Sequence, residues 1–232
     1  MTDHTVVEHD AWTKARKELL AKEQEFTHAR DELSRQRREL PWEAVEKEYV
    51  FEGARGKQTL AELFDGRSQL VVYHFMFPPE WDEGCPHCSF WADSFDPNVV
   101  HLKARDVTLI AVSRAPYTKL APYRERMGWS FDWVSSFEND FNHDFGVSFT
   151  PEQQDAPVYN FGTLSPGFAE REGVSVFCKD GGALLHTYST YARGIDLLNT
   201  AYNYLDLMPK GRDEEGRPSQ FWVRRHDEYE PG

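Results

Sequence analysis

Two cysteines, Cys85 and Cys88, are separated by two residues in the segment GCPHCS, residues 84–89. Cysteines at this spacing can form a reversible disulfide bond, or their thiolates can bind a metal ion. The segment follows the apolar run LVVYHFMF and precedes FWADSF, which indicates a cysteine pair at the start of a helix that follows a buried strand. The first interpretation predicts a thiol-disulfide enzyme, and the second predicts a metal-handling protein.

The redox interpretation assigns a role to each residue of the CPHC motif. Unpaired N–H groups and the helix dipole stabilise a thiolate at a helix N-terminus, so Cys85 is the predicted nucleophile. Pro86 suits the first helical turn because it lacks an N–H group. Cys88, one turn further, is the predicted resolving thiol that attacks a mixed disulfide at Cys85. A partly protonated His87 would stabilise the thiolate and raise the reduction potential above that of thioredoxin, about −270 mV.

The metal interpretation needs ligands beyond the pair, because a tetrahedral zinc site usually has four. The other candidates occur singly in separate segments: Cys178, His74, His143 and His186. The pair with His186 would suit Cu(I) or Zn(II). A CxxC motif beside a βαβ pattern favours redox chemistry without a metal or cofactor. Cys178, His74 and His186 also fit as core residues, and Arg114 fits either an ion pair or a ligand site at a strand end.

Composition narrows the class of protein. The 232 residues are 40% hydrophobic and carry a net charge of −13, which disfavours nucleic acid and anionic membranes as partners. The basic cluster RQRREL at 35–40 lies among charges of both signs, as on a solvated helix face. No apolar run is long enough to span a membrane, and MTDHTVVEHD has no signal-peptide pattern. The expectation is a soluble cytoplasmic protein.

The first 41 residues predict a helical arm. Residues 10–40 contain no glycine or proline, which predicts one helix from Asp10, as N-cap, to the residue before Pro41. Its length would be about 45 Å. Large apolar residues recur every seven positions: Trp12, Leu19, Phe26, Leu33 and Leu40. This narrow apolar stripe predicts an arm that packs on a second subunit and gives a homodimer.

Residues 42–209 predict one thioredoxin-like α/β domain. QLVVYHFMF at 69–77 and DVTLIAVSR at 106–114 are continuous apolar runs, typical of strands buried on both faces, and the cysteine-pair helix lies between them. The segment GVSVFCKDGGALLHTYST predicts a hairpin, and RGIDLLNTAYNYLDLMP predicts one closing helix. Residues 138–172 show no regular pattern, and residues 210–232 are predicted to form a charged tail.

The chain also resembles a bacterial family of unknown function over about residues 10–209. That family is domain of unknown function 899, described as predicted thioredoxin-like dithiol-disulfide oxidoreductases. The resemblance is carried by LLAKEQEFTHARDELSRQRRELPWEAVEKEYVFEG, TLAELFDGRSQLVVYHFMF, GCPHCSFWAD, AVSRAPYTKLAPYRERMGW, DFNHDFGVSF and HTYSTYARGIDLLNTAYNYLD. It implies a central mixed sheet with flanking helices, related to the peroxiredoxin branch, and it implies no particular substrate.

Two positions depart from related folds. Peroxiredoxins carry Thr or Ser three residues before the reactive cysteine, whereas this chain has Asp82, so the resemblance does not extend to peroxidase activity. Thioredoxins place a cis-proline before the strand that faces the CxxC motif, whereas this chain has Glu172 followed by Gly173. Pro157 and Pro166 lie upstream as spatial alternatives. The predicted function is thiol-disulfide exchange through Cys85 and Cys88 on a thiol or disulfide substrate, with Cu(I) or Zn(II) binding as the alternative.

Overall fold

The computed structural model describes residues 4–230. The chain divides into two compact units, residues 1–41 and 42–232. The first unit contains helix α1, His9–Arg38, whose N-cap is Glu8. The predicted N-cap, Asp10, was wrong: it lies inside the first turn, where a negative charge still favours the helix dipole. None of the helices formed by residues 4–230 has both the length and the apolar composition needed to cross a bilayer.

Helix α1 has no buried residue. Its large apolar side chains are exposed, with Trp12 at 55% and Phe26 at 70% of their accessible surface. Charged side chains pair along the helix, for example Arg35 with Glu32 at 2.7 Å. Exposed pairs of this kind are screened by solvent and contribute little to stability, so these pairs do not explain the apolar stripe of α1.

The second unit is built on one mixed sheet. Among residues 4–230 its eight strands are β1 (Glu43–Ala44), β2 (Val50–Gly53), β3 (Gly56–Thr59), β4 (Gln69–His74), β5 (Val107–Ser113), β6 (Asp132–Ser135), β7 (Gly173–Asp180) and β8 (Ala183–Tyr191). Their order is β1-β8-β7-β4-β5-β6-β2-β3. Strands β4, β5 and β6 are parallel, and the β7–β8 hairpin joins the other side of β4 in antiparallel pairing.

The helices of this unit are α2 (Pro86–Phe95), α3 (Val99–Lys103), α4 (Tyr117–Met127), α5 (Phe141–Asp144) and α6 (Thr200–Leu205). Helix α2 connects β4 to β5, and α4 connects β5 to β6. A parallel βαβ unit flanked by an antiparallel hairpin on its first strand is the thioredoxin-like arrangement. The predicted fold class, including the N-terminal helix, is confirmed.

Strand β4 is buried on both faces, as its continuous apolar sequence predicted. Tyr73 packs into a hydrophobic cluster that contains both cysteines of the CPHC motif. Leu70 and Val72 pack into a second cluster with Phe141 and Phe177. Burying one such side chain stabilises the fold by roughly 1.5–3 kcal/mol, so the strand that leads to the cysteines is a rigid base for them.

The predicted closing helix is divided into two pieces. A 3-10 helix spans Ala192–Leu198, and α6 follows it. Asn199 separates the two, because its side chain accepts the N–H of Tyr202 and caps α6. The apolar periodicity of the sequence predicts a helix on both sides of Asn199, but it does not predict the break at Asn199 itself.

Candidate functional site

Cys85 occupies the N-cap position of α2, as predicted. Its Sγ accepts the backbone N–H of Cys88 at 3.4 Å, and Pro86 is the first helical residue. The Cys85 carbonyl accepts the N–H of Ser89 at 3.0 Å, which is the first hydrogen bond of the helix. The Cys85 N–H donates to the carbonyl of Met76 at 3.2 Å. Cys85 is therefore hydrogen-bonded both to the helix and to the chain that leaves β4.

Gly84 allows the chain to pass close to the aromatic core just before Cys85. A Cβ atom at this position would lie 2.8 Å from the ring of Phe75 and 2.9 Å from the ring of Tyr123. Both rings are buried and cannot move freely. Glycine is required here for close packing. This packing fixes the position of the next residue, Cys85, relative to the aromatic core.

The two thiols have opposite acidities. The hydrogen bond from the Cys88 side chain lowers the pKa of Cys85 most; burial opposes it, and the backbone N–H groups of Cys88 and His87 add to the lowering. Burial raises the pKa of Cys88 well above its ordinary range, and its hydrogen bond to Cys85 adds to the rise. Cys85 is therefore the thiol of the pair that loses its proton more readily.

The ring of His87 does not act on Cys85 in the way the sequence suggested. Burial lowers the pKa of His87, and the interaction with the Gln220 side chain opposes that change. Its backbone N–H, rather than its imidazole, is among the main influences on the Cys85 thiolate. The lowered pKa makes the imidazole harder to protonate than an ordinary histidine, which weakens the predicted stabilisation of the thiolate by a positive charge.

We therefore expect His87→Leu to shift the pKa of Cys85 less than removal of the Cys88 thiol does. The leucine variant keeps the backbone N–H, which is the part of residue 87 that contacts the sulfur. The pH dependence of Cys85 alkylation, followed on its tryptic peptide by mass spectrometry, measures this. A rise as large as that in the Cys88 variant would restore the hypothesis of an active imidazole.

The cysteine pair lies in the wall of a cavity of about 590 Å³. The wall comes from five regions of the chain, namely the end of β4 with the loop after it, the start of α2, the loop before β7, the segment after β8 and residues 219–220. Glu172 lies in this wall, whereas Pro157 and Pro166 do not. The carboxylate of Glu172 raises the pKa of both cysteines, so a charged residue faces the pair where thioredoxins place a proline.

The sequence profile of a bacterial protein family of unknown function, DUF899, matches residues 1–229. The chain belongs to the DUF899 family. No curated protein matches the sequence significantly.

Several solved structures resemble the DUF899 chain at low sequence identity. The peroxidoxin BcpB of Mycobacterium tuberculosis is 16% identical, with 68% of this chain and 92% of that one covered and a TM-score of 0.46. A bacterioferritin comigratory protein of Xanthomonas campestris is 15% identical, with 68% and 96% covered and a TM-score of 0.45. The thioredoxin peroxidase I of Plasmodium yoelii is 12% identical, with 83% and 97% covered and a TM-score of 0.44.

Sequence reasoning missed the contribution of residues 214–229, here called the C-terminal segment, to the DUF899 site. Ser219 and Gln220 line the cavity, although the sequence predicted only a charged tail. Trp222 packs edge-on against Phe90 of α2, with ring centroids 5.4 Å apart, and Val223 is buried. The segment has no periodicity because its individual side chains make these contacts outside any helix or strand.

Arg225 fixes the C-terminal segment to the loop that carries the nucleophile. Its Nη2 donates to the carbonyl of Gly84 at 2.9 Å, and its Nε donates to the hydroxyl of Tyr123 at 2.8 Å. It also forms an ion pair with Glu83 at 3.0 Å. The side chain is largely buried, so these charge-assisted contacts hold the loop from the side opposite the sheet.

The remaining candidates lie away from the pair. Cys178 is paired with Gln69, the first residue of β4. The chain leaves for α2 at the other end of β4, about 17 Å away along the strand. His74 is buried and hydrogen-bonded to Ser175 at 2.8 Å, which confirms the core interpretation. Arg114 pairs with buried Glu170 at 3.4 Å and is absent from the cavity wall.

Within residues 4–230, no third metal ligand joins the two cysteines. Among residues 4–230, no group of three or more His, Cys, Asp or Glu side chains could hold a metal ion. His186 hydrogen-bonds to Ser189 at 2.7 Å and lines a different cavity. His143 hydrogen-bonds to the carbonyl of Ser148 at 3.1 Å. The Cu(I) or Zn(II) site considered for Cys85, Cys88 and His186 therefore has no matching geometry.

Proposed function

We propose that this protein is a thiol-disulfide oxidoreductase in which Cys85 is the nucleophile and Cys88 the resolving thiol. The observation that carries the proposal is the N-cap position of Cys85, where its sulfur accepts the Cys88 N–H at 3.4 Å at the edge of a cavity. The lowered pKa of Cys85 and the raised pKa of Cys88 agree with these roles. A cytoplasmic location, where free thiols are kept reduced, belongs to the same proposal.

Exchange would proceed in two steps. The Cys85 thiolate attacks one sulfur of a disulfide, forms a mixed disulfide and releases a thiolate. Cys88 then loses its proton and attacks the Cys85 sulfur, which releases the second thiol. The buried position of Cys88 protects it from outside reagents until the first step has brought a disulfide next to it. The exposed carboxylate of Asp82 pairs with Lys119 at 3.6 Å and offers no hydroxyl to a peroxide, so hydroperoxides are not the proposed substrates.

Peptide mapping of the oxidised protein tests the assignment. After oxidation with a small disulfide and proteolysis without reductant, the expected product is a peptide closed between Cys85 and Cys88, with Cys178 alkylated as a free thiol. Cys178 has a raised pKa because of burial and the nearby Asp180, and it is far from the pair. A predominant link from Cys178 to either residue would contradict the proposal.

We also propose that α1 carries the contact between two subunits. Its stripe includes Trp12, Leu19 and Phe26, which are all more than half exposed. Light scattering is expected to give twice the 27.0 kDa chain mass, since a symmetric dimer is the commonest assembly. Phe26→Glu should give the monomer mass, and Gln24→Glu, on the opposite face of the helix, should remain dimeric. A wild-type protein of 27.0 kDa would disprove this proposal.

A further inference from the structure

The depth of the cysteine pair restricts what can react with it. Cys85 is 5% exposed and Cys88 is 2% exposed, and both face the 590 Å³ cavity rather than an open surface. Cavities of roughly 300–1,000 Å³ are the size that binds small organic molecules. A disulfide on the surface of a folded protein would have to enter this cavity to reach the Cys85 sulfur. The geometry therefore favours a low-molecular-weight reactant.

The cavity wall is mainly apolar and aromatic. The apolar and aromatic side chains that line it are Tyr73, Met76, Trp81, Trp91, Phe168 and Ile195. Trp91 is fixed because its indole N–H donates to the carbonyl of Ile195 at 3.0 Å. Flat, rigid surfaces of this kind bind an apolar or aromatic group through dispersion and burial of surface. The reactant is expected to carry such a group next to its sulfur atoms.

Charges in the wall differ from those of the chain as a whole. The chain has 39 acidic and 26 basic residues, whereas the wall contains two arginines, Arg171 and Arg193, and two carboxylates, Glu172 and Asp196. Asp196 is already paired with two guanidinium groups, Arg193 at 3.1 Å and Arg212 at 3.2 Å. Arg212 is in turn paired with Asp206 at 2.7 Å, so the positive and negative charges of this region balance, in a protein that is strongly acidic as a whole.

Arg171 is the less exposed of the two arginines in this wall. One of its nitrogens lies 3.5 Å from Glu172, and its Nε is buried without a hydrogen-bond partner. Its guanidinium is held over the ring of Tyr159 at 5.1 Å, so its position is defined. A guanidinium held in place in the wall is suited to a carboxylate, which accepts charge-assisted N–H bonds from its outer nitrogens.

Building on the proposed exchange activity, we infer that the reactant is a small organic disulfide that carries an apolar or aromatic group and a carboxylate bound by Arg171. The Cys85 thiolate attacks one of its sulfurs and displaces the first half as a thiolate. Cys88 transfers its proton to a leaving thiolate or to water and attacks the Cys85 sulfur, which displaces the second half. Two electrons pass from the dithiol to the reactant, and the products are the Cys85–Cys88 disulfide and two small thiols.

Two aromatic disulfides of different charge test this inference with the reduced, full-length protein. Dithiobis(nitrobenzoate) carries two carboxylates, and dithiodipyridine is neutral at pH 7. Arg171→Gln is expected to slow the stopped-flow reaction with dithiobis(nitrobenzoate) about tenfold, which is the loss of one charge-assisted bond, and to leave the dithiodipyridine rate within about twofold. Arg171→Lys should keep most of the preference. Arg105→Gln, an exposed change of equal charge just before the start of β5, should leave both rates unchanged.

Three outcomes would overturn parts of this assignment and are distinguishable. Equal slowing of both reagents by Arg171→Gln, with no preference retained by the lysine variant, would show that Arg171 does not recognise an anion. Reduction of insulin disulfides as fast as that of dithiobis(nitrobenzoate) would refute a small reactant while leaving the exchange activity in place. If neither reagent produced a Cys85–Cys88 disulfide, the proposed function itself would be refuted.

Discussion

Cys88→Ala is expected to remain covalently bound to its oxidant through Cys85. In the wild type, Cys88 releases the mixed disulfide within the same reaction, so the adduct does not accumulate. In the variant no other thiol lies near Cys85, because Cys178 is at the far end of β4 and a disulfide requires Cα atoms within about 7 Å. Mass spectrometry of the peptide that contains Cys85, after reaction with dithiodipyridine, should therefore show about one adduct per chain in the variant and almost none in the wild type.

The same substitution is expected to raise the pKa of Cys85. The hydrogen bond from the Cys88 side chain is the largest cause of the lowered pKa, and alanine removes it. Cys88→Ser is the matched control because its hydroxyl retains a donor and still cannot form a disulfide. Alkylation of Cys85 near pH 6 should be slowest in the alanine variant. If serine and alanine behaved identically, the backbone N–H groups alone would account for the acidity.

Glu170→Gln is expected to change the pH dependence of folding stability. Glu170 is 3% exposed, accepts a hydrogen bond from Ser148 at 2.8 Å and lies 3.4 Å from Arg114. Burial raises its pKa from 4.5 to about 7, although Ser148 and Arg114 oppose the rise, and the charge of Glu80 adds to it. The carboxyl group of Glu170 therefore keeps its proton to a higher pH in the folded protein than in the unfolded chain.

The sign follows from the raised pKa. The stabilising contribution of protonated Glu170 is complete below pH 4.5 and is lost as the pH rises through about 7. Glutamine does not titrate, so the free energy of unfolding of the variant minus that of the wild type should increase by about 3 kcal/mol between those limits. Urea unfolding at intervals from pH 4.5 to pH 8 measures the difference.

Glu62→Gln provides a control of opposite sign. Glu62 accepts the N–H of Thr59 at 2.7 Å, and this hydrogen bond lowers its pKa. Its contribution is present above the unfolded pKa and lost as the pH falls, so the variant should be less stable than the wild type at neutral pH and approach it in acid. A flat difference for Glu170→Gln across the range would show that this carboxyl is ionised in the folded state throughout.

The sequence was sufficient to predict the base of the site. Strands β4 and β5 are buried on both faces, so their runs of β-branched and aromatic residues are continuous and their assignment is simple. The Gly-Cys-Pro order marks the start of α2, because each residue type meets a different local requirement: close packing, an N-cap acceptor and a missing N–H. Interactions between neighbouring residues determine the strands and the start of α2, so the local sequence pattern predicts them.

The rest of the wall depends on contacts between distant positions. Glu172 faces the cysteines because β7 pairs with β4 in a register that places Gly173 opposite His74. Gln220 reaches His87 because Arg225 and Trp222 anchor a segment without periodicity. Neither residue could be predicted from its neighbours in the sequence. A polar residue in a loop has the same sequence context whether it lines a cavity or faces solvent.

The anchoring of Arg225 has a consequence for the order in which the site is assembled. Arg225 contacts Gly84 across 141 positions of the chain, and a ribosome synthesises the N-terminal part first. The CPHC helix and its strand can form while the C-terminal segment is still inside the ribosome, at which stage the dithiol lacks the wall that contains Ser219 and Gln220. A nascent chain would thus expose its reactive thiol to the surroundings, and selection among oxidants by the cavity would begin only once translation had passed Arg225.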